Sequence, residues 1–470
     1  MAELKHFDGQ PENPFAAIVE DQKIARFDHY TLESGVTLHD VPVAYKTWGK
    51  LNAQANNCLV ICHAFTGSAD AQDWWGPLFG PGKAFDASRF FIFCANSLGS
   101  PYGSASACTM NPATGLAYGP EFPLVTVRDD VAIHRQILDA LGVKQIAIVV
   151  GGSMGGMLVL EWAFYGPEFV KTLVPVATSA HASAWNISWG ETQRQSIYCD
   201  PKYEDGYYPY EDPPVAGLGA ARMSALLTYR SRNSFESRFG RKPMAKPSSQ
   251  PYPDASPDDA HWVAHNEGHS KRLPKRPAVR SGSISSSRPP SPGSRSSSFD
   301  AGSGNNSLAA SLNALGAPRV VATQFSAQSY LRYQAQKFVK RFDANCYISI
   351  TRKLDTHDVS RDRAGSVAEA LGMLSQPALV IGIESDGLFT FGEQEEIARY
   401  MPNARLDRIE SPEGHDGFLL EFGQMNDKVV RFQREFLRDI MEQQSEGSAQ
   451  EETVDVRPSK FGEVDDITEW

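Results

Sequence analysis

One segment, Gln145–Phe164, limits what this chain can fold into more than any other. Its sequence, QIAIVVGGSMGGMLVLEWAF, opens with a short apolar run rich in β-branched residues, Ile146–Val150. Four glycines then surround Ser153, and an apolar helical pattern follows. The glycines and the polar side chains of Gln145 and Glu161 argue against a membrane span. The segment therefore predicts a strand, a tight turn at Ser153 and a helix.

The turn itself, GGSMG around Ser153, matches the pattern G-x-S-x-G. In that pattern a strained turn between a strand and a helix exposes a nucleophilic serine, and the turn needs small neighbouring side chains. A phosphate-binding loop is one alternative, but no lysine follows as in a P-loop and no G-x-G-x-x-G register fits. Between the strand Ile146–Val150 and the helix Met154–Phe164, the pattern predicts that Ser153 is a catalytic nucleophile. A glycine-rich turn without chemistry is the other alternative.

Other short apolar runs alternate with helical patterns along the chain. Strands that are apolar throughout and separated by helices are typical of a parallel sheet covered on both faces. Together with the serine turn, they predict an α/β fold of the α/β-hydrolase type, with a mostly parallel central sheet flanked by helices. The strand-like runs outside the serine segment are Leu59–Cys62, Phe90–Cys94, Leu173–Ala177, Ala378–Ile383 and Leu406–Ile409.

Three further helices have recognisable limits in the sequence. Thr126 and Asp129 have the spacing of a capping box, and Gly142 suits the position just after a helix. The periodic runs Ser329–Phe342 and Val429–Met441 predict two more helices in the second half of the chain.

A serine hydroxyl becomes a good nucleophile only when a base accepts its proton. In this fold class the acid and then the histidine follow the serine in the sequence, each on a loop after a strand. His415 follows the last strand-like run and is the predicted general base, with His357, after a helical stretch, as the alternative. Asp386, after Ala378–Ile383 and before Gly387, is the predicted acid that orients the imidazole. The alternative for Asp386 is an ordinary turn aspartate.

An acyl-transfer site also needs two backbone N–H groups that bind the oxyanion of the tetrahedral intermediate. One is expected from Met154, the residue after the nucleophile, and the other from the loop after an earlier strand. The loop His63–Gly67 follows the strand-like run LVIC, which predicts that Phe65 supplies the second N–H. We interpret His63 itself as structural rather than catalytic.

Composition limits the partners and location of the chain. Its net charge of -11 argues against a general nucleic-acid-binding protein, although a few basic side chains could still bind a coenzyme A ester. The six cysteines are scattered without a CxxC pair, which predicts free thiols in a reducing compartment. The start of the chain lacks the pattern of a secretory signal, so we expect a cytoplasmic location and no membrane.

Two stretches differ from the rest in composition. Residues from about 242 to 306 are rich in Ser, Pro, Arg and Gly, with too little apolar surface to offset the entropy of ordering, which predicts a disordered insertion. The acidic residues 442–470 predict a flexible tail. His261, His265 and His269 have the spacing of a helical metal site, but they lie in the insertion, so no metal site is expected.

Longer segments carry a more specific signal than the serine turn. In order, and over most of the chain, they resemble the homoserine O-acetyltransferase family, in particular its fungal members. The matching segments are TLESGVTLHDVPVAYKTWGKLN, CHAFTGSADAQDWWGPLFGPG, NSLGSPYGSA, YGPEFPLVTVRDDV, GGSMGGMLVLEWA, RMSALLTYRSRNSFESRFGR, SYLRYQAQKFVKRFDANCYISITRKLDTHD and ESPEGHDGFLLEF.

The resemblance implies an α/β-hydrolase core, residues 1–181 and 373–441, interrupted by a helical lid region, residues 182–372, that carries the insertion. It implies transfer of an acetyl group from acetyl-CoA to the hydroxyl of L-homoserine, in methionine biosynthesis. Acetyl-CoA would be a co-substrate, and no other cofactor is implied. The implied mechanism is ping-pong, with Ser153 carrying the acetyl group, and the family suggests a homodimer.

The resemblance also implies three substrate-binding residues. Arg222 matches the family's arginine for the acceptor carboxylate, which a guanidinium can bind through two parallel hydrogen bonds. Tyr229 matches its lid tyrosine, and Asp416, next to the expected base, matches its ligand for the substrate ammonium. Without the resemblance, an arginine on an amphipathic helix would be interpreted as solvent-facing.

Several alternative activities share this chemistry. The acceptor could be L-serine or deacetylcephalosporin C, and the donor could be succinyl-CoA. Serine and homoserine differ by one methylene, which is worth only about 1–3 kcal/mol in a pocket. A serine esterase would use the same triad and differ only in admitting water to the acyl-enzyme. A non-catalytic binding protein is disfavoured because Ser153, Asp386 and His415 are all present.

Overall fold

A twisted sheet forms the centre of the computed structural model, which describes residues 4–243 and 325–442 and the isolated residues 265 and 268. Within these residues the strands are β1 Lys5–His6, β2 Lys23–Thr31, β3 Thr37–Trp48, β4 Cys58–Cys62, β5 Phe91–Ala95, β6 Met110–Asn111, β7 Leu116–Ala117, β8 Ile146–Gly152, β9 Leu173–Val176, β10 Ala378–Ile383 and β11 Ala404–Ile409. Nine of them form one sheet in the order β1-β2-β3-β5-β4-β8-β9-β10-β11, and β6 pairs with β7 separately. From β5 to β11 all neighbours are parallel, whereas β1, β2 and β3 are antiparallel at one edge. The predicted α/β-hydrolase type of fold is confirmed.

The parallel strands place the loops that carry the predicted site residues at the carboxyl ends of the strands. Every residue of β4, β8, β9 and β10 is buried, as expected for strands covered on both faces. In the register of the sheet Gly151 lies opposite Cys62 of β4, and Gly152 lies opposite Val176 of β9. The loops after β4, β8, β10 and β11 therefore leave the sheet at the same carboxyl edge.

Helices fill the segments between the strands. Their bounds are α1 Ala71–Trp75, α2 Val127–Ala140, α3 Met154–Ala163, α4 Ala184–Tyr198, α5 Val215–Tyr229, α6 Arg232–Arg238, α7 Ser326–Phe338, α8 Ala344–Asp355, α9 Val367–Gly372, α10 Phe391–Tyr400, α11 Phe422–Phe436 and α12 Arg438–Met441. The capping box predicted at the start of α2 is confirmed, since Thr126 Oγ1 accepts from Asp129 N–H and Asp129 Oδ2 accepts from Thr126 N–H. Gly142, just after α2, has a φ of +85°. None of the described helices combines the length and the apolar character needed to cross a membrane.

The structure departs from the sequence prediction at three places. The long antiparallel strands β2 and β3 were not predicted, because their mixed polar and apolar residues belong to an edge with one exposed face. The helix predicted as Ser329–Phe342 ends at Phe338, since Asp343 caps the next helix, α8. The final helix begins at Phe422 and is interrupted at Leu437, where φ is -123° and ψ is 39°.

The described elements between β9 and β10 are helical, from α4 to α9, in the region predicted as a lid. Within it, α4 packs against α5 and α8. The chain divides into two compact units, residues 1–241 with 327–470, and residues 242–326. The predicted insertion at about 242–306 and the predicted tail at 442–470 lie almost entirely outside the described residues.

Candidate active site

The tight turn predicted at Ser153 is present between β8 and α3. Ser153 has a φ of +60° and a ψ of -126°, a conformation that only a strained turn imposes on a residue with a side chain. Its N–H donates to the carbonyl of Val176 at 3.0 Å, so the end of β8 stays paired with β9 while the chain reverses. The geometry is that of a nucleophile elbow, in which the serine hydroxyl stands above the carboxyl edge of the sheet.

The glycines of this turn are required by the close approach of neighbouring elements. A Cβ on Gly155 would lie 2.1 Å from the carbonyl oxygen of Cys62, at the end of β4. A Cβ on Gly156 would lie 2.5 Å from Thr178 Cβ. The start of α3 therefore packs directly on backbone, and this contact holds Ser153 beside the loop that follows β4.

His415 and Asp386 meet although they lie in separate loops. His415 Nδ1–H donates to Asp386 Oδ2 at 2.7 Å, and both side chains are buried. The other carboxylate oxygen of Asp386 accepts the N–H groups of Leu388 and Phe389, at 2.8 and 3.0 Å. The carboxylate is thus held on both oxygens, and the imidazole is fixed in the tautomer that leaves Nε2 free to accept a proton.

The loop that carries His415 packs against the serine turn. The Phe418 ring lies 5.4 Å from the His415 ring, centre to centre. The same ring packs on Gly152, where an added Cβ would lie only 2.5 Å from a Phe418 ring carbon. Burial lowers the pKa of His415, but the negative charges of Asp386 and Asp416 outweigh it, so the pKa is raised above its usual value. The imidazole is therefore arranged to accept and hold a proton beside the serine turn.

The two predicted oxyanion donors lie at the ends of adjacent strands. Met154 is the first residue of α3, where backbone N–H groups have no partner within the helix. Phe65 lies in the loop after β4, and its ring packs 4.7 Å from the Tyr347 ring of α8, centre to centre. A Cβ on Gly155 would also lie 3.1 Å from the carbonyl of His63, so this loop and the start of α3 are in contact.

Two other histidines have structural contacts. His63 Nδ1–H donates to the carbonyl of Ala64 at 2.7 Å, and Nε2 accepts the N–H of Ser97 at 2.9 Å. His357 Nε2 lies 3.1 Å from the carbonyl of Ser179. Burial lowers the pKa of both histidines to about 4, which keeps them neutral. The structure thus pairs Asp386 with His415 rather than with the alternative, His357.

Helix α5 brings two of the expected substrate residues to the site. Arg222 is buried, with its guanidinium carbon 4.9 Å from the centre of the Phe338 ring and 5.5 Å from that of Tyr229. Tyr229, the last residue of α5, lies 6.0 Å from the His415 ring, centre to centre. The solvent-facing alternative for Arg222 is wrong, because the ring of Phe338 and the lid helices cover this face of α5.

One group among the described residues has the chemistry of a metal site. The ligand atoms of Cys108, Asp343 and Cys346 lie within 4.8 Å of one another, and the two sulfur atoms are 3.7 Å apart. Asp343 accepts the N–H of Cys346 on one oxygen and the hydroxyl of Tyr208 on the other. These hydrogen bonds account for the carboxylate as the cap of α8. Of the three histidines in the predicted insertion, only His265 is described.

The chain is similar in sequence to known proteins. Residues 57–271 match the family described as alpha/beta hydrolase fold. The chain is 59% identical to the homoserine O-acetyltransferase of Schizosaccharomyces pombe, over 98% of this chain and 96% of the relative. It is 57% identical to that of Ascobolus immersus, again over 98% of this chain and 96% of the relative. The chain belongs to the homoserine O-acetyltransferase family.

A solved structure of a homoserine O-acetyltransferase, from Bacillus anthracis, shares the fold. The TM-score is 0.66 at 21% sequence identity, over 88% of this chain and 97% of that one. At this identity the likeness bears on the fold alone.

Two arginines near the site of this homoserine O-acetyltransferase family member were not predicted from the sequence: Arg230, which is buried, and Arg341, which is half-buried. Arg230 Nε lies 2.9 Å from Asp416 Oδ2, so the carboxylate expected to bind the substrate ammonium already has a cationic neighbour. Arg341 donates to the carbonyl of Thr66 at 3.1 Å, in the loop His63–Gly67 that carries Phe65, and to the hydroxyl of Tyr102 at 2.7 Å. Both arginines stand in segments that resemble the family, and that was the only signal that could have pointed to them.

Proposed function

We propose that this chain transfers the acetyl group of acetyl-CoA to the hydroxyl of L-homoserine, as a step of methionine biosynthesis. The observation that carries the proposal is the match from end to end with relatives named homoserine O-acetyltransferase. The geometry supports it, because Ser153 stands on a strained turn against which the loop of a paired His415 and Asp386 is packed.

The first half-reaction uses the groups around Ser153. His415 Nε2 accepts the hydroxyl proton as Ser153 Oγ attacks the thioester carbonyl of acetyl-CoA. The N–H groups of Phe65 and Met154 bind the oxyanion. The C–S bond then breaks, His415 returns its proton to the leaving sulfur, and coenzyme A departs as the free thiol. Ser153 is left as an acetyl ester.

The second half-reaction uses the acceptor groups of α5 and of the base loop, residues 410–421 between β11 and α11, which carries His415. Arg222 would bind the carboxylate of homoserine, with Tyr229 beside it, and Asp416 would bind the ammonium. His415 accepts the proton of the homoserine hydroxyl as its oxygen attacks the acetyl ester. The proton then passes to Ser153 Oγ as the product, an O-acetyl ester, is released. This scheme needs no resident cofactor, because Ser153 carries the acetyl group and His415 moves the protons.

An esterase is the second candidate, since hydrolysis differs only in the nucleophile of the second half-reaction. Burial of Ser153 and His415, which are 7% and 3% exposed, favours transfer, because bulk water has little access to an acyl group on Ser153. L-Serine and deacetylcephalosporin C are further candidates as acceptors, and succinyl-CoA as a donor.

The test follows thiol release from acetyl-CoA with no acceptor and with L-homoserine, L-serine or deacetylcephalosporin C. We expect one rapid release per active site without acceptor, and steady turnover with the highest kcat/KM for homoserine. Steady release without any acceptor would identify a hydrolase. A higher kcat/KM for serine or deacetylcephalosporin C would reassign the acceptor, and turnover with succinyl-CoA at equal rates would broaden the donor.

We also propose that the chain acts as a homodimer in the cytoplasm. Exposed apolar side chains on α4 and α5, including Trp185, Ile187 and Leu227, support an interface between copies. The cysteines are all free, which fits a reducing compartment. Light scattering of the wild type and of Leu227→Glu would test the dimer, and we expect the variant to be shifted toward the monomer.

A further inference from the structure

Arg230, the residue after Tyr229, stands where α5 ends and the chain turns toward α6. Its Nε lies 2.9 Å from Asp416 Oδ2, and its Nη1 donates to Glu413 Oε2 at 2.6 Å. Arg230 and Asp416 are both buried. One guanidinium therefore contacts the carboxylates on both sides of the expected base, His415.

The backbone holds the same two segments together. Gly414 has a φ of +75°, and a Cβ there would lie 2.5 Å from the nitrogen of Ser231 and 2.9 Å from the carbonyl carbon of Arg230. Ser231 Oγ also donates to the carbonyl of Pro412. The junction between α5 and α6 therefore lies directly on the loop that carries His415, and a shift of one would move the other.

Helix α6 binds Glu413 from the other side. Arg238 Nη2 donates to Glu413 Oε1 at 2.7 Å, and Ser234 Oγ donates to Glu413 Oε2 at 2.5 Å. The two guanidinium groups, of Arg230 and Arg238, thus match in charge the two carboxylates they contact, of Glu413 and Asp416. Loss of Arg230 would remove the cation that lies 2.9 Å from the buried Asp416 carboxylate, and burial then favours protonation or displacement of Asp416.

We propose that Arg230 is a positioning residue for the acceptor half-reaction. It keeps Asp416 ionised and oriented toward the acceptor ammonium. This inference rests on the proposed function, because it requires Asp416 to bind an α-ammonium group. Arg238 provides a matched comparison, since it shares Glu413 with Arg230 but is the last residue of α6, eight residues further along the chain.

The test compares Arg230→Met with Arg238→Met in the full chain, with L-homoserine as acceptor. We expect Arg230→Met to raise the KM for homoserine about tenfold or more above that of Arg238→Met, as for loss of one partner of a buried charge pair. Both variants should keep the amplitude of the initial burst, one coenzyme A released per active site, because Ser153 and His415 are both present. Arg230→Lys keeps the charge but cannot span both carboxylates, and its KM should be intermediate.

A double-mutant cycle keeps the proposal testable if Arg230→Met does not fold. Arg230→Lys and Asp416→Asn should each raise the KM for homoserine, and the double variant should be no worse than Asp416→Asn alone. Additive effects in the cycle, or an equal KM in Arg230→Met and Arg238→Met, would overturn the positioning role. If the wild type itself acetylates no amino acid, the proposed function fails, a result that is visible before any variant is compared.

Discussion

Ser153 carries the strain of the site in its own backbone. A positive φ costs a residue with a side chain on the order of 1–3 kcal/mol, which packing elsewhere must offset. Here the offset comes from the buried strand β8, from the helix α3 and from the hydrogen bond between Ser153 N–H and Val176. The strain depends on the backbone and not on the hydroxyl, so removal of the hydroxyl should leave the fold unchanged.

We therefore expect Ser153→Ala to fold normally and to lose turnover completely. Mass spectrometry after incubation with acetyl-CoA should show one added acetyl group on the wild type and none on the variant. Ser188→Ala, at a serine of α4 whose hydroxyl bonds only within its helix in the described structure, is the control and should still be acetylated at Ser153. An acetyl adduct on the Ala variant would remove Ser153 from the mechanism.

The pairing of His415 with Asp386 predicts a defined pH dependence. The pKa of His415 is raised despite burial because Asp386 stabilises the imidazolium, so the burst rate should rise as pH increases through that raised pKa. Asp386→Asn should lower the rate by about 10⁴-fold, as the same substitution does in the chymotrypsin triad. Its midpoint should move to lower pH, because the neutral amide no longer stabilises the imidazolium.

The pH profile of the burst, measured by stopped flow, checks this prediction. Asp362→Asn, at an exposed aspartate, is the control and should keep the wild-type profile. A midpoint in Asp386→Asn that stays at the wild-type pH would mean that another group titrates.

The role proposed for Arg222, binding the acceptor carboxylate, belongs to the second half-reaction alone, so a change at this one residue should separate the two half-reactions. We expect Arg222→Ala to keep the burst of coenzyme A release and to lower kcat/KM for homoserine, because the acceptor carboxylate loses a partner worth about 2–5 kcal/mol. Arg232→Ala, at an exposed arginine of α6, is the matched control and should resemble the wild type. An unchanged kcat/KM for homoserine in Arg222→Ala would place the acceptor carboxylate against a different cation.

At the scale of elements, the site depends on how closely α3 approaches β4. A Cβ on Gly155 would meet a strand carbonyl at 2.1 Å, and backbone in a central strand cannot move away as a flexible side chain could. We expect Gly155→Ala to lower the free energy of unfolding by about 1–3 kcal/mol, as overpacking does, and to slow the burst by displacing Ser153.

Gly423→Ala is the matched control, since its added Cβ, in the first turn of α11, would have no atom within 4 Å beyond its chain neighbours and the adjacent helix backbone. It should leave the burst unchanged and keep or slightly raise stability, because alanine favours helix over glycine. Urea denaturation of both variants gives the comparison. Equal stabilities would show that α3 can shift away from β4 at no cost.

At the scale of the whole molecule, the ends of the segment between α6 and α7 lie together. The backbone carbonyl of Lys242 accepts the N–H of Ser326 at 3.0 Å, and Pro243 pairs with Phe325 in an antiparallel bridge. A short linker can therefore join residue 243 to residue 325. We expect replacement of residues 244–324 by a short Gly/Ser linker to keep the melting temperature and kcat/KM close to wild type, since loop length has little effect on closure entropy.

A control deletion that extends back through α6 removes Ser234 and Arg238, which bind Glu413 in the base loop. That variant should lose stability and acceptor turnover. A large fall in melting temperature with the linker replacement alone would show that residues 244–324 contribute to the folded core.

The sequence by itself determined the class of fold and named the candidate serine, acid and histidine of the site. Local patterns sufficed for these, because apolar runs mark buried strands, glycines mark the serine turn, and the order of serine, acid and histidine follows the order of the strands. The strands β4, β8, β9 and β10 lie within about one or two residues of their predicted bounds, close to the usual uncertainty of such boundaries. Arg222, Tyr229 and Asp416 came from a resemblance and not from any local pattern.

Only the tertiary structure decided which groups meet. The 2.7 Å contact of His415 with Asp386, the burial of Arg222 and the ion pair of Arg230 with Asp416 join residues from separate elements. A single sequence does not distinguish an arginine that faces solvent from one that is buried on a helix, because both fit the same periodicity. Which face of α5 is covered depends on how the lid helices pack on the base loop, and that packing is a property of the whole fold.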